Sequence, residues 1–570
     1  MLVKIFKQVL NCCWLLPGFL LWASFPPMGE RFDCFFALAP LVWLSRNGTA
    51  KRSMWLWFVN GFIFWFATLA WMPAIVKNNG PWPLVLLGWV CLAAYCALFF
   101  GAFGWLSSVY WRWARRSEEV RVKSEELRIS KFFSAVTLHS YLLPLHFFGL
   151  LLVEPVLWCG LELVRSRFLG GFSWNQLGVA PINAGFGSPA AIGGVYLVSA
   201  VVILVNGTIA SIAERFLTRD RRWWRTLETF VPFALIFGIY SFHSQPQPST
   251  STSYLSVALV QRNFPCCFSP QERENPLEVY SNLCANVSYL KPDIVILPES
   301  AYAEIAPLDH PDAMRFSQWL MRLTGAKAVL AGGGRYAQDG KAYNSAALYT
   351  AARPESAPYR SDEIQIYDKV HLVPFGEFIP GDKVFPVLQK FAPVGTCYPG
   401  DLKLLNFQNS SLFTPTSSLP IGVAICYEDT DSAQMRELAK MGAKALVFIT
   451  NDSWFSYSQE TISHAWQAAA RAIETGLPVI RVGNSGVTGI VYPDGKANWL
   501  SASDGLPLVD AKGTLFDRVA IDSQPSALTL YTRFGDCPLA VSFTLLILGY
   551  ILIYLKAIYE KRRIVSLQIG

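Results

Sequence analysis

Three short stretches hold the residues best suited to covalent chemistry. Tyr367-Asp368-Lys369-Val370-His371-Leu372-Val373-Pro374-Phe375-Gly376-Glu377 sets a lysine in a turn-rich polar run. Ile425-Cys426-Tyr427-Glu428 places a lone cysteine at the end of an apolar run, with acid close behind. Asp293-Ile294-Val295-Ile296-Leu297-Pro298 ends in Glu299. A cysteine attacks as its thiolate, which a nearby cation favours and a nearby base generates. Lys369 can supply the cation and Glu299 the base. Taken singly, each residue has a plainer reading: a buried structural cysteine, a solvated lysine, a helix-capping glutamate. What argues for function is that Glu299 and Cys426 both follow β-rich runs, where a strand passes into a loop and functional groups gather.

The elements that would position these residues are short apolar runs: Leu255 to Val260, Ile294 to Leu297, Ala328 to Ala331, Ala346 to Tyr349, Ile421 to Ile425, Ala445 to Ile449 and Pro478 to Val482. Their length and β-branched content read as strands. Helical patterns lie between several of them, at Ala313 to Thr324, Ser432 to Met441 and Thr461 to Thr475. Strands alternating with helices predict a layered α/β domain. Gly332-Gly333-Gly334 lacks the Lys-Ser/Thr of a phosphate-binding loop and reads as a tight turn. His371 and His464 read as structural hydrogen-bonding groups.

The rest of the chain is apolar. Of 570 residues, 52% are hydrophobic and 16% charged, with 20 Trp and 39 Phe, which points to a membrane protein. The net charge is +7, and no basic tract interleaved with aromatics suggests a nucleic-acid groove. Apolar segments run Val9 to Phe25, Phe32 to Leu44, Met54 to Val76, Trp82 to Trp113, Phe132 to Val164, Ile192 to Ala213, Phe230 to Phe242 and Pro538 to Leu555. Phe32 to Leu44 is shorter than the roughly 20 residues that cross a bilayer, so either a crossing or a re-entrant segment is open there. Glu154 and Glu162 are costly in lipid and are expected to face other helices. Lys and Arg gather in alternate loops: Arg46, Lys51 and Arg52; Arg112 to Lys131; Arg215 to Arg225; and the tail Lys556 to Arg563. If cytoplasmic loops collect these charges, eight segments cross, both termini are cytoplasmic, and the large polar region lies outside. The expected domains are 1–243, with about seven membrane helices; 244–536, extracytoplasmic; and 537–570, a last span and cytoplasmic tail. The Pro-, Ser- and Thr-rich run Gln245 to Ser253 links the first two.

The 12 cysteines include no CxxC pair, so a zinc site is not expected. Cys266, Cys267, Cys284 and Cys397 lie in the polar region, where an oxidising compartment would permit pairing that the sequence does not specify. Asn286-Val287-Ser288 fits a glycosylation acceptor by pattern only.

Pro298-Glu299-Ser300, the long run through Lys369 to Glu377, and Cys426-Tyr427-Glu428 together resemble the carbon–nitrogen hydrolase (nitrilase) superfamily and its Glu-Lys-Cys triad. The resemblance continues through Asn451-Asp452-Ser453-Trp454-Phe455, Arg471, Glu474, Pro478, Arg481, Asn484 and Gly486. The membrane part, with Trp158, Glu162, Arg165 and Ser173-Trp174-Asn175-Gln176-Leu177-Gly178, is similar to one membrane-embedded branch, the apolipoprotein N-acyltransferases. Arg262, after Val260-Gln261, stands where that pattern usually has glycine.

The resemblance implies a multi-span α-helical membrane domain plus an α/β nitrilase-like α-β-β-α sandwich. It implies Glu299 as general base, Lys369 as oxyanion stabiliser and Cys426 as nucleophile, with the Tyr427 N–H a second oxyanion donor. Glu377 would orient Lys369 or Glu299, and Tyr427 and Glu428 would shape the pocket or serve structure alone. It further implies a phospholipid acyl donor, a diacylated apolipoprotein acceptor, a bacterial inner membrane, a monomer, and neither metal nor cofactor. Pro380 to Leu388, with Phe391, reads as a mobile flap over the lipid opening or as a packed loop. Two other readings stay open: a membrane-anchored amidase or nitrilase cleaving a small C–N bond, and a non-enzymatic envelope scaffold or transporter. The intact Glu299, Lys369 and Cys426 set disfavours the scaffold.

Overall fold

The computed structural model describes residues 14–78, 80–126, 143–218, 224–241, 252–265, 274–350, 364–379, 396–408, 418–455, 458–522 and 527–569. The membrane part opens with three short helices: α1 (Leu16–Ala23), α2 (Cys34–Ala37) and α3 (Ala39–Asn47). Five longer ones follow: α4 (Ala50–Thr68), α5 (Trp82–Glu126), α6 (Glu154–Arg165), α7 (Ala190–Thr218) and α8 (Trp224–Ser241). A single turn at Leu143–Phe148 and a π-type turn at Gly149–Val153 lead into α6.

Among the described residues five helices are long and apolar enough to cross a membrane: Ala50–Asn78, Trp82–Ser117, Leu145–Arg165, Ala190–Thr218 and Cys537–Lys556. Eight crossings were expected. The helix within the first is eight residues long, and residues 1–13 lie outside the described set. The apolar part of α8, Thr229–Ser241, is short. Phe32 to Leu44 is broken between α2 and α3, where Pro40 occupies the first turn of α3 and cannot continue a hydrogen-bonded ladder. A break at membrane depth needs other partners for its backbone. Asn206 of α7 provides them: its Oδ1 accepts from Leu38 N (2.9 Å), and its Nδ2 donates to Cys34 O (2.8 Å).

The costly acids do face the helix bundle. Glu154 accepts from Arg46 Nη2 (2.5 Å), Arg46 Nε (3.2 Å), Ser107 Oγ (3.0 Å) and Trp111 Nε1 (2.9 Å). Arg46 also donates to Ser211 Oγ and Gly207 O, and is 3% exposed. One of the cations that reads as a loop charge is therefore an interior group. Glu162 accepts from Leu177 N (2.8 Å).

The polar region forms two six-stranded sheets. The first runs in the order β12-β1-β2-β3-β4-β5, from β1 (Thr252–Gln261), β2 (Ile294–Ile296), β3 (Ala328–Tyr336), β4 (Ala342–Thr350), β5 (Ile364–Asp368) and β12 (Gly513–Asp522). The second runs β11-β10-β9-β8-β7-β6, from β6 (Leu404–Gln408), β7 (Ser418–Ile425), β8 (Ala445–Thr450), β9 (Val479–Gly483), β10 (Gly489–Val491) and β11 (Ala497–Trp499). Side chains alternate along each strand. Leu255, Val257 and Leu259 of β1 meet Ile421, Val423 and Ile425 of β7 between the sheets. Ala258 and Val260 face outward, against Tyr280 of α9 (Pro276–Ala285) and Met314 and Leu320 of α10 (Pro311–Thr324). Ala424, Leu446 and Phe448 face the other way, against α11 (Ser432–Lys440) and α12 (Glu460–Thr475). Two helical layers on two stacked sheets make the expected α-β-β-α sandwich.

Gly332, Gly333 and Gly334 do not form a turn. They lie within β3, paired with Ala346, Ser345 and Asn344 of β4. Their value is close approach: a Cβ on Gly332 would sit 2.6 Å from the Glu299 Cα. After β12 the chain forms α13 (Leu530–Phe534) and α14 (Cys537–Ile569).

Helix α12 joins the sandwich to the membrane part, and every residue in it except Ile462 is buried. Its Glu474 accepts from Val195 N (2.8 Å) of α7, its Trp466 carbonyl accepts from Asn183 Nδ2 (3.0 Å), and Gln459 just ahead of it donates to Ala67 O (2.9 Å).

Breaking a buried ion pair by removing one partner costs about 3–5 kcal/mol, because the other charge stays buried. Glu154→Ala is therefore expected to lower the thermal unfolding midpoint in detergent sharply, and the double variant Arg46→Met/Glu154→Leu to regain most of it. A wild-type midpoint in Glu154→Ala would show that the pair is not a stabilising contact.

Candidate active site

Three strand ends bring the chemistry together. β2 runs through Leu297 and Pro298 into Glu299, β5 ends beside Lys369, and β7 ends at Cys426. Ser300 (φ 60°) and Cys426 (φ 54°) both hold left-handed backbone, costly for residues with side chains. Such a conformation persists only where its surroundings dictate it. At Cys426 they do, through Glu428 in the 3-10 turn Cys426–Thr430. The Glu428 carboxylate accepts from Ile425 N (2.8 Å), Val370 N (2.7 Å), His371 N (3.0 Å) and Tyr367 Oη (2.9 Å). One buried side chain thus fastens the cysteine turn to the lysine loop.

Lys369 is 1% exposed. Its backbone is held on both sides: Lys369 N donates to Asn344 O (2.8 Å), and Lys369 O accepts from Gly400 N (2.9 Å). Its Nζ lies 2.9 Å from Glu377 Oε1 and 3.9 Å from Glu299 Oε1. Glu377 is in turn oriented by Val373 N, which donates to its Oε2 (2.8 Å). Asn344 of β4 donates from one nitrogen to Glu299 Oε1 (2.7 Å) and to Glu377 Oε1 (2.6 Å).

Glu299 Oε2 is buried and has no hydrogen-bond partner among the described residues. One oxygen is thus held while the other is left for a substrate or a thiol. Burial raises the Glu299 pKa, the Lys369 ammonium opposes that rise, and Glu377 adds to it. Burial works against the Lys369 charge, yet Glu377 first, then Cys426 and Glu299, hold the ammonium above its ordinary pKa. Burial and then Glu299 push the Cys426 thiol well above the usual range, with Lys369 pulling the other way. The resting site is therefore a neutral thiol beside a fixed cation and an available carboxylate. To act as a nucleophile, the half-buried Cys426 would need a base at the moment of attack.

Tyr427 faces the membrane part. Its ring lies parallel to those of Phe172 and Trp174, with centroids 6.4 Å away in each case, and its hydroxyl accepts from Ser173 N (3.3 Å). The Tyr427 N–H lies in the first turn of its 3-10 segment, where amides have no intrahelical acceptor.

Behind the site lies a second buried set. His464 contacts Asp452 through Nδ1 (2.9 Å) and Asp429 through Nε2 (3.0 Å). Arg481 bonds Asp429 and sits 3.4 Å from Asp452 Oδ2. Asp452, Glu460 and His464 are close enough to hold a metal ion, but the donor set does not fit one. Both His464 nitrogens are engaged by carboxylates, and the Arg481 guanidinium already supplies positive charge. Burial opposes the imidazolium charge, but the two aspartates overcome it and raise the His464 pKa to about 10.

The structure brings together Glu299, Lys369 and Glu377, with Cys426 coupled to all three. Tyr427 and Glu428 flank them, the second as a fastener of backbone. Asn344 was not singled out in the sequence; it lies on β4 opposite Gly334, a pairing that no local pattern marks. Arg262 is buried, pairing with Glu304 (2.5 Å) and lying over the Phe264 ring (4.3 Å). Cys284 and Cys397 are free thiols; Cys266, Cys267 and the segment 380–391 lie outside the described residues.

Residues 17–208 match the family model described as apolipoprotein N-acyltransferase N-terminal domain, and residues 256–499 match that for carbon-nitrogen hydrolase. The chain is 27% identical to the apolipoprotein N-acyltransferase of Geobacter metallireducens over 536 residues, covering 92% of this chain and 91% of that protein. It is 28% identical to that of Photobacterium profundum over 538 residues, covering 92% and 90%. An amidase structure from Nesterenkonia sp. aligns with 50% of this chain and 96% of its own, at 17% identity and a TM-score of 0.35, a level at which the likeness carries no weight.

The His464 shift fixes a sign. A pKa raised on folding contributes stability that is complete below the usual 6.5 and is lost as pH climbs towards about 10. The thermal midpoint of the purified protein should fall across that window. His464→Gln should lower the plateau and flatten the decline; an unchanged decline would place its origin elsewhere.

Proposed function

The chain belongs to the apolipoprotein N-acyltransferase family, and on that premise we propose how it acts. It moves an acyl chain from a membrane phospholipid, through a thioester on Cys426, to the N-terminal amine of the diacylglyceryl-cysteine of apolipoproteins. The observation that carries the mechanism is that Glu299 Oε2 has no hydrogen-bond partner among the described residues, while Oε1 of the same carboxylate lies 3.9 Å from the buried Lys369 ammonium.

Glu299 takes the Cys426 proton as the sulfur attacks the ester carbonyl. The Lys369 ammonium, with the Tyr427 N–H, faces the oxygen on which negative charge develops. Its charge is fixed before the reaction begins, so no reorganisation is needed. Collapse breaks the ester C–O bond; the lysophospholipid oxygen takes the proton from Glu299 and departs, leaving the thioester. The amine of the acceptor, in its neutral form, then attacks that carbonyl. Glu299 accepts a proton from nitrogen, the C–S bond breaks, and the thiolate is reprotonated. The cycle is two-step and ping-pong. Glu377 holds Lys369, and Glu428 holds the two loops in register.

Both substrates are lipids of the bilayer, which accounts for a membrane part far larger than an anchor. The ring stack of Phe172, Tyr427 and Trp174 joins that part to the residue next to the nucleophile. We assign 1–243 and 537–570 to the bilayer and 244–536 to the extracytoplasmic side of a bacterial inner membrane, with both termini cytoplasmic and the chain acting as a monomer.

Purified protein incubated with phospholipid labelled in its acyl chains should acquire a hydroxylamine-sensitive label. Cys426→Ala should abolish it, and Lys369→Ala should slow its formation on the order of 100-fold. A diacylated lipopeptide should discharge the label into a triacylated product. Label persisting in Cys426→Ala would exclude the nucleophile, and discharge by water alone would identify a hydrolase.

A further inference from the structure

Asn344 bonds all three charged residues of the site. Its carbonyl oxygen accepts from Lys369 N (2.8 Å), which sets where the lysine leaves its strand. Its side-chain nitrogen carries two hydrogens, and both acceptors within reach are carboxylate oxygens of the site: Glu299 Oε1 at 2.7 Å and Glu377 Oε1 at 2.6 Å. The facing position in the ladder is Gly334, so no opposing side chain crowds the amide.

We propose that Asn344 is a positioning residue for the acyl-transfer reaction, whose amide clamps Oε1 of Glu299 and Glu377 so that Glu299 Oε2 meets the thiol. This rests on the reading of Glu299 as the general base. A carboxylate held at one oxygen has lost rotation about its last bond, and its reactive oxygen is placed before substrate arrives. The residue type matters as much as the position. An amide donates to both carboxylates without adding charge, whereas a second cation would stabilise the Glu299 anion too strongly for a base. An aspartate would put a third negative group beside the other two.

The groups that face Glu299 come from every element around it. Lys369 stands at the end of β5, Glu377 in the loop beyond, Cys397 in the segment that bonds Glu377 O through its own N–H (2.8 Å), Cys426 at the end of β7, and Asp452 after β8. Of these only Lys369 is a cation. Asn344 is the neutral donor that offsets the acids, and its hydrogen bond lowers the Glu299 pKa against the pull of burial.

The test is the rate of Cys426 acylation by phospholipid in detergent, followed from acid to alkaline pH. It compares the full chain with Asn344→Ala and with Asn344→Asp, which keeps the shape of the side chain. Losing the donor raises the Glu299 pKa, so the acid limb of the profile should move up by about one pH unit in Asn344→Ala, a tenfold loss on that limb. The shift should be larger in Asn344→Asp wherever the new carboxyl is ionised. Thermal midpoints of both variants establish that the fold is retained. Loss by one factor at every pH, with the limb unmoved, would overturn the proposal, as would wild-type rates in Asn344→Asp. Glu299→Gln separates the two claims. If it keeps the wild-type limb and rate, the base assignment fails, whatever the Asn344 variants do. If it loses both while the Asn344 variants leave the limb in place, only the clamp fails.

Discussion

A buried ammonium must be neutralised where it stands, and Lys369 sets that requirement for the whole site. At about 4 Å and an effective dielectric near 20, one carboxylate attracts it by about 4 kcal/mol. Removing a single ion from water costs several kcal/mol, so one partner barely offsets the burial. Two are present, Glu377 in contact and Glu299 a little further away. Two acids beside one cation leave the pocket negative, and burial first, then Glu299, hold the nearby thiol towards its protonated form. In the proposed mechanism the first step is a proton transfer from sulfur to carboxylate, which leaves the local charge unchanged.

Three glutamates of the site show how hydrogen-bond count decides a role. Glu428 takes four donors, all from chain segments that must be held together, and is left with nothing to offer a substrate. Glu377 takes three and spends them on Lys369, Asn344 and its own loop. Among the described residues Glu299 takes one, and its second oxygen stays open. The same carboxylate is a fastener, a bridge or the proposed base according to how many of its lone pairs the fold has already engaged. The second network behind the site follows the same logic: Asp429 and Asp452 are matched by His464 and Arg481, so that four buried charges cancel without a metal.

The sandwich and the membrane helices meet through packing too extensive for a tether. Helix α12 is buried against a sheet on one side and against the membrane part on the other, and polar contacts from Glu474, Trp466 and Gln459 cross that boundary. Tyr427 extends the joint to the residue beside Cys426. The position of the candidate site relative to the membrane helices is thus held by rings and hydrogen bonds.

Residue types and order alone determined the layered α/β class, the apolar helical part, and Glu299, Lys369 and Cys426 as the group to examine. Strand periodicity and strand-end chemistry are local, and local signals survive in a linear string. Three features were decided only by tertiary structure. Gly332 to Gly334 read as a turn but form a strand, because the need is for backbone to approach Glu299, which no local pattern encodes. Phe32 to Leu44 read as one apolar segment but breaks, because Asn206, more than 160 residues away, satisfies the freed backbone. Asn344 carries no local mark of its role: an amide on a strand acquires meaning only when two carboxylates from other elements arrive within hydrogen-bonding distance of it.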